Sequence, residues 1–121
     1  MIAKDIITAV DATPIAIWNE HLLNKDYTAA FASDLMSDAL AMIQTVPEST
    51  ILITGLCNAQ VLRTAEMLDI ELILFVRDKH LSQESLDIAK EMGFNIFTTK
   101  YTMYETCGIL YSKGLSSIHG Q

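Results

Sequence analysis

At 121 residues the chain is the length of one ordinary domain, and half of it is apolar, enough to bury roughly two thirds of the unfolded surface without staples. A formal net charge of −7 repels phosphate backbones and sets aside general nucleic-acid binding, while leaving room for a small anion at one local positive point. No apolar run approaches the roughly 20 residues of a membrane span, and Met1-Ile2-Ala3-Lys4-Asp5-Ile6 lacks the apolar core of a signal peptide. A cytoplasmic protein outside the membrane, with Cys57 and Cys107 as free thiols, is the expectation.

The early segment Lys4 to Val10 places Ile6, Ile7 and Val10 at helical spacing, which predicts a short helix. Asp11-Ala12-Thr13-Pro14 ends it, because Pro14 pushes Thr13 out of the helical region. Ile15 to Trp18 reads as a short strand. Asn19 to Lys25 reads as a loop whose Leu22 and Leu23 pack down onto the body. Tyr27 to Ala32 follows as a strand of mostly small side chains, which permit close approach by a neighbour.

The helix opening near Asp34 is apolar almost all round, through Leu35, Met36, Ala39, Leu40, Met42 and Ile43. A helix buried on most faces lies between a sheet and something else, and in a chain this small a second copy fits that place. Three units then repeat one grammar. Thr50 to Thr54 is a strand before a helix from Asn58 to Leu68. Glu71 to Val76 is a strand before a helix from Ser82 to Met92 that stops at Gly93. Asn95 to Thr98 is a strand before a helix from Met103 to Lys113 that stops at Gly114. Both glycines stand where a left-handed cap is wanted. Thr102-Met103-Tyr104-Glu105 has the form of a capping box. Continuously apolar strands alternating with helices predict a parallel sheet covered on both faces. Residues 1 to 121 read as one domain, with 116 to 121 as a frayed tail.

Parallel strands gather binding groups on the loops at their carboxyl ends, where helix amino termini also point. The candidate rim is therefore Ser33, Asp34, Ser37 and Asp38, then Thr54, Gly55 and Asn58, with Thr98 and Thr99; Arg77, Asp78 and Tyr101 complete it. These groups suit a small polar or anionic ligand, and they also suit the caps and turns that any α/β protein needs. Asp34 and Asp38 stand one helical turn apart, which fits an acid–base pair, a metal, or simply carboxylates favoured by the helix dipole. Cys57 lies between Gly55 and a helix start, either as a reactive thiol or as a small turn residue. Gly108, inside the last helix, suggests close packing by the sheet or a second subunit. No cofactor or metal is expected. His21, His80 and His119 are far apart, and CxxC, GxGxxG, GxxxxGK[ST] and GxSxG are all absent, which removes the usual zinc, dinucleotide, P-loop and hydrolase signatures.

The order of these pieces resembles the DRTGG domain family across nearly the whole length. The resemblance is carried by the early Ile-rich helix, Asp34-Leu35-Met36-Ser37-Asp38, and Ile51-Leu52-Ile53-Thr54 with Asn58. Leu86 to Ala89 with Lys90, Thr98-Thr99, and Glu105 through Gly108 to Leu110-Tyr111 extend it. The naming motif falls on Asp26-Tyr27-Thr28-Ala29-Ala30, where only Asp26 and Thr28 keep the named residues and the Arg and both glycines are replaced. The resemblance implies a three-layer α/β/α domain with a mostly parallel sheet, related to the amino-terminal domain of HPr kinase/phosphorylase. Such domains look regulatory and dimeric, and accompany CBS domains or the catalytic domains of phosphate acetyltransferases and regulated pyrophosphatases. Three readings follow, in this order. The first is a non-catalytic, homodimeric regulatory module that senses a small ligand, a nucleotide or another anion, or binds a regulatory partner protein. The second is an interaction adaptor without a ligand. The third is an enzyme using Cys57 or the Asp34/Asp38 pair.

Overall fold

The computed structural model of the protein describes residues 1–37 and 49–118, so the body of the helix expected after Asp34, with Asp38, lies outside the described residues. In chain order the elements are α1 (Ala3–Ala9), β1 (Thr13–Ile17), a 3-10 turn (Glu20–Asn24), β2 (Ala29–Ala32) and β3 (Thr50–Thr54). They continue with α2 (Ala59–Met67), β4 (Leu72–Phe75), α3 (Gln83–Met92), β5 (Asn95–Thr98), α4 (Met103–Ser112) and β6 (Ser116–Ser117). One sheet of six strands runs in the order β1-β5-β4-β3-β2-β6. Only β1 is antiparallel to its neighbour; every other pairing is parallel. The architecture is three-layer α/β/α, as the strand and helix alternation predicts.

Chain direction explains which helix lies where. The steps β2 to β3, β3 to β4 and β4 to β5 all move the same way across the sheet, so right-handed crossovers put α2 and α3 on one face. The return from β5 to β6 runs back across the sheet and puts α4 on the other face, beside α1. The two cores follow the pleat. Leu52, Ile73, Phe75 and Ile96 pack against Val61, Leu62 and Ala65 of α2 and Ala89 of α3. Ile51, Ile53, Leu72, Leu74 and Phe97 pack against Ile6 of α1 and Leu110 of α4. The middle strands β3, β4 and β5 are buried at every position, and each large side chain sealed there contributes about 1.5–3 kcal/mol.

Local chemistry sets the element ends. Asn58, Ser82 and Thr102 cap the three helices, each side chain accepting a backbone N–H of the first turn. Thr102 and Glu105 complete the expected capping box, and Gly93 takes the left-handed conformation at φ 73°. Several expectations change. The strand at Tyr27 begins only at Ala29, because Tyr27 turns its ring into the core instead. The Asn19–Lys25 loop holds a turn of 3-10 helix. Pro14 sits inside β1, where the register slips between Pro14 and Ala16; an edge strand tolerates the missing N–H. Ser116 and Ser117, expected to fray, pair with Ala29 and Ala30 as β6. A Cβ at Gly108 would meet nothing within 4 Å, so packing against the sheet does not explain that glycine. On one face of the sheet α4 lies beside β2, β3 and β6. It leaves an apolar groove of about 670 Å³ bordered by Ala30, Ala32, Ile53, Tyr104, Gly108 and Tyr111.

Candidate functional site

The parallel strands end together, and three of their exits converge. After β2, Ser33 still donates its N–H to the Ile53 carbonyl at 3.0 Å, which carries the chain alongside β3 for one more residue. Ser33 Oγ then accepts the Leu35 amide at 3.0 Å, a local turn that faces Asp34 across to the end of β3. There Asp34 Oδ1 accepts the Gly55 amide at 2.6 Å and the Thr54 hydroxyl at 3.4 Å. The Thr54 oxygen in turn accepts the Leu56 amide at 3.1 Å. A charged acceptor on a backbone amide makes a short, strong bond, so Asp34 ties the exit of β2 to the exit of β3.

Arg77 is brought to the same place by an unusual turn. Arg77 and Asp78 both have positive φ, 58° and 56°, a conformation that non-glycine residues adopt only when their surroundings hold them there. The surroundings are the exits of β5: the Arg77 amide donates to Tyr101 O at 2.8 Å and the Asp78 amide to Thr99 O at 2.8 Å. The turn lays the guanidinium over Gly55. A Cβ there would stand 2.6 Å from Arg77 Nη2 and 3.2 Å from Asp34 Oδ1. A side chain at Gly55 would displace that guanidinium rather than strain the backbone, since its own φ is not positive. Among the described residues Arg77 forms no ion pair, whereas the neighbouring Asp78 lies 3.6 Å from His80.

The other rim residues divide. Asn58 is exposed and its side chain is engaged as the cap of α2, accepting Val61 N–H at 3.3 Å. Ser37 is exposed in the helical turn that begins at Met36. Thr98 and Thr99 lie below the surface, 2% and 1% exposed. The Thr99 hydroxyl donates to Val10 O at 2.6 Å and accepts the Tyr101 amide at 3.3 Å, so it braces α1 against β5. Thr98 is level with Phe75, and Phe75 with Thr54, on the face that carries α2 and α3; its hydroxyl is buried without a protein partner. Reading the strand ends in sequence found Asp34, Thr54 and Gly55 together, and undervalued Arg77.

The thiol alternative does not gain from the geometry, and the Asp34/Asp38 alternative reaches outside the described residues. Burial pushes the Cys57 thiol up to about 11, against the downward pull of nearby Lys79, so it stays protonated at neutral pH and is a poor nucleophile. Burial raises Cys107 as well. Among the described residues no group of three or more His, Cys, Asp or Glu stands close enough to hold a metal, and no helix is long and apolar enough to cross a membrane.

No family model matches the sequence, and no curated protein is significantly similar to it. In structure the chain is similar to the CBS and DRTGG domains of the regulatory region of Clostridium perfringens pyrophosphatase, solved in complex with the activator diadenosine tetraphosphate. The TM-score is 0.68 at 17% identity, over 99% of this chain and 52% of that one. The chain therefore has a fold related to that region and spans about half of its length.

Proposed function

We propose that the chain is a non-catalytic regulatory module of the DRTGG type that binds a small polar or anionic ligand, with a nucleotide the leading candidate, at the carboxyl edge of its sheet. The observation that carries the reading is the junction of Asp34, Thr54, Gly55 and Arg77. Three strand exits meet there on a glycine flanked by a carboxylate and by a guanidinium that forms no ion pair among the described residues. Ser33, Ser37 and Asn58 border it. Ligands in open α/β sheets settle at such edges. A site with both charges suits a ligand that has hydroxyl or amine donors together with an anionic group. The fold likeness adds weight, since the related region is the regulatory region of a pyrophosphatase solved with the activator diadenosine tetraphosphate.

The apolar groove beside α4 favours a second property of the same module, association through that face. Tyr104 and Tyr111 are 88% and 63% exposed, and an apolar strip bordered by exposed aromatics suits a protein partner. A homodimer is the form this reading takes, and an adaptor that binds a partner protein without any ligand is the alternative. A cytoplasmic setting is consistent with either. Titration calorimetry with ATP, on the wild type and on Arg77→Gln, tests the ligand reading. Binding weakened at least tenfold by the substitution, with Tm unchanged, supports it. Equal binding by both proteins removes the site from this edge, and no heat from either favours the adaptor.

A further inference from the structure

At the carboxyl edge the chain's own carboxylate sits where an external anion would be held. The Gly55 amide and the Thr54 hydroxyl both donate to Asp34 Oδ1, and two converging donors of this kind bind oxyanions in general. A Cβ built on Gly55 would stand 2.6 Å from Arg77 Nη2 and 3.2 Å from Asp34 Oδ1, so cation and anion border one spot. No ion pair joins them among the described residues. Lys79 borders the same turn, close enough for its charge to act on Cys57. In a protein of net charge −7, this leaves an unpaired guanidinium beside a filled anion slot. The Asp34 oxygen uses two donors and leaves Arg77 idle. A phosphoryl group, with several oxygens in a tetrahedron, reaches amide, hydroxyl and guanidinium together.

We infer that Gly55, Thr54 and Arg77 form a site for a phosphoryl oxyanion, and that Asp34 occupies it in the unliganded chain as an internal competitor. The inference rests on the ligand reading above and adds the group that is recognised and the contact it must displace. Asp34 lies between β2 and the helical turn at Met36, so its release uncouples the exit of β2 from that of β3. Occupancy of the slot thereby becomes a change in how the segment after β2 is held, which is what a sensing module requires. A tethered competitor has a high effective concentration, so the wild type binds the free anion weakly, by the fraction of chains in which Asp34 has left.

The test is calorimetric titration of the full chain with inorganic pyrophosphate and, separately, with ATP. The proteins are wild type, Asp34→Ala, Asp34→Asn and the double variant Asp34→Ala/Arg77→Gln. Asp34→Ala is expected to bind pyrophosphate at least tenfold tighter than wild type. Asp34→Asn, which keeps an acceptor for the Gly55 amide without the charge, should fall between them, and it carries the comparison if the alanine variant melts early. The double variant should lose the gain. Similar gains for pyrophosphate and ATP support the phosphoryl group as what is recognised, and a gain confined to ATP overturns that assignment. Weaker ATP binding by Asp34→Ala than by wild type makes Asp34 a direct ligand contact: the competitor idea then falls while the ligand site stands. Absence of binding to both probes in all four proteins ends both.

Discussion

The two ends of the sheet are built from similar residues and treated in opposite ways. At the amino end, the polar groups around Asn95 and Met1 are matched in closed pairs. Asn95, fully buried at the start of β5, accepts the Asn19 amide at 3.0 Å and returns its own amide to Asn19 O at 2.7 Å. The Met1 amine meets Asp26 at 2.9 Å and Tyr27 O at 2.7 Å, while Tyr27 donates its N–H to Met1 O. At the carboxyl end the matching is incomplete. Asp34 gathers two donors, Arg77 has no ionic partner among the described residues, and a turn of two left-handed residues holds the guanidinium in place. Buried polar pairs that are fully satisfied fix a fold, whereas held but unpaired charge at a surface edge is available to a ligand. Under the proposed function, the difference separates structural polar chemistry from ligand-binding polar chemistry in one small sheet.

If the amino end is structural, breaking it should cost stability and leave ligand binding alone. Asn95→Ala removes both bonds to Asn19 and leaves their half-buried partners open, and is expected to destabilise by about 3 kcal/mol. Urea unfolding measures this, and calorimetry with ATP on the same variant should give the wild-type affinity.

Tyr27 sharpens the comparison through pH. Burial, with the charge of Glu71 adding to it, pushes its phenol from 10.0 up to about 12. The folded chain therefore keeps the proton after the unfolded chain has lost it. The corresponding stability is complete below about pH 10 and is lost as pH rises toward 12, at about 1.4 kcal/mol per pH unit. Tyr27→Phe should lack this alkaline loss, so the two unfolding curves diverge by about 2 kcal/mol near pH 12. At neutral pH the variant should be equal or slightly more stable, because the Tyr27 hydroxyl is buried without a protein partner and removing it leaves nothing unpaired.

At the carboxyl end the expectation reverses. Gly55→Ala puts a methyl 2.6 Å from Arg77 Nη2, the movable tip of an exposed side chain, so stability should change by less than about 1 kcal/mol. Displacing the guanidinium should nevertheless abolish ATP binding. A large loss of stability with binding intact would make Gly55 a packing residue and dissolve the contrast.

Much of the frame was legible because its signals are local. The caps at Asn58, Ser82 and Thr102 and the stop at Gly93 mark helix ends by side-chain chemistry within three residues. The apolar runs of β3, β4 and β5 mark buried parallel strands. What stayed hidden depends on distant partners. β6 is two serines with no strand signature, defined only by pairing with Ala29 and Ala30. Thr99 looks like a rim hydroxyl in sequence, yet it bonds Val10, 89 residues away. Arg77 was named as a rim residue, but the turn that positions it had no signal, since left-handed backbone at two non-glycine residues is imposed by Tyr101 and Thr99 across the turn. Gly55 was visible as a turn glycine, but the close approach of the guanidinium was not.

The central claim is that ligand chemistry is confined to the carboxyl edge, and amide chemical-shift mapping tests it most directly. Pyrophosphate, then ATP, is titrated into isotopically labelled protein and the backbone amides at both ends are followed. The account predicts that the amides of Asp34, Gly55 and Arg77 shift in a saturable, concentration-dependent way, while those of Asn19, Tyr27 and Asn95 stay within noise. Saturable shifts centred on Asn19 and Asn95, or shifts spread evenly with no centre at Gly55, would contradict it.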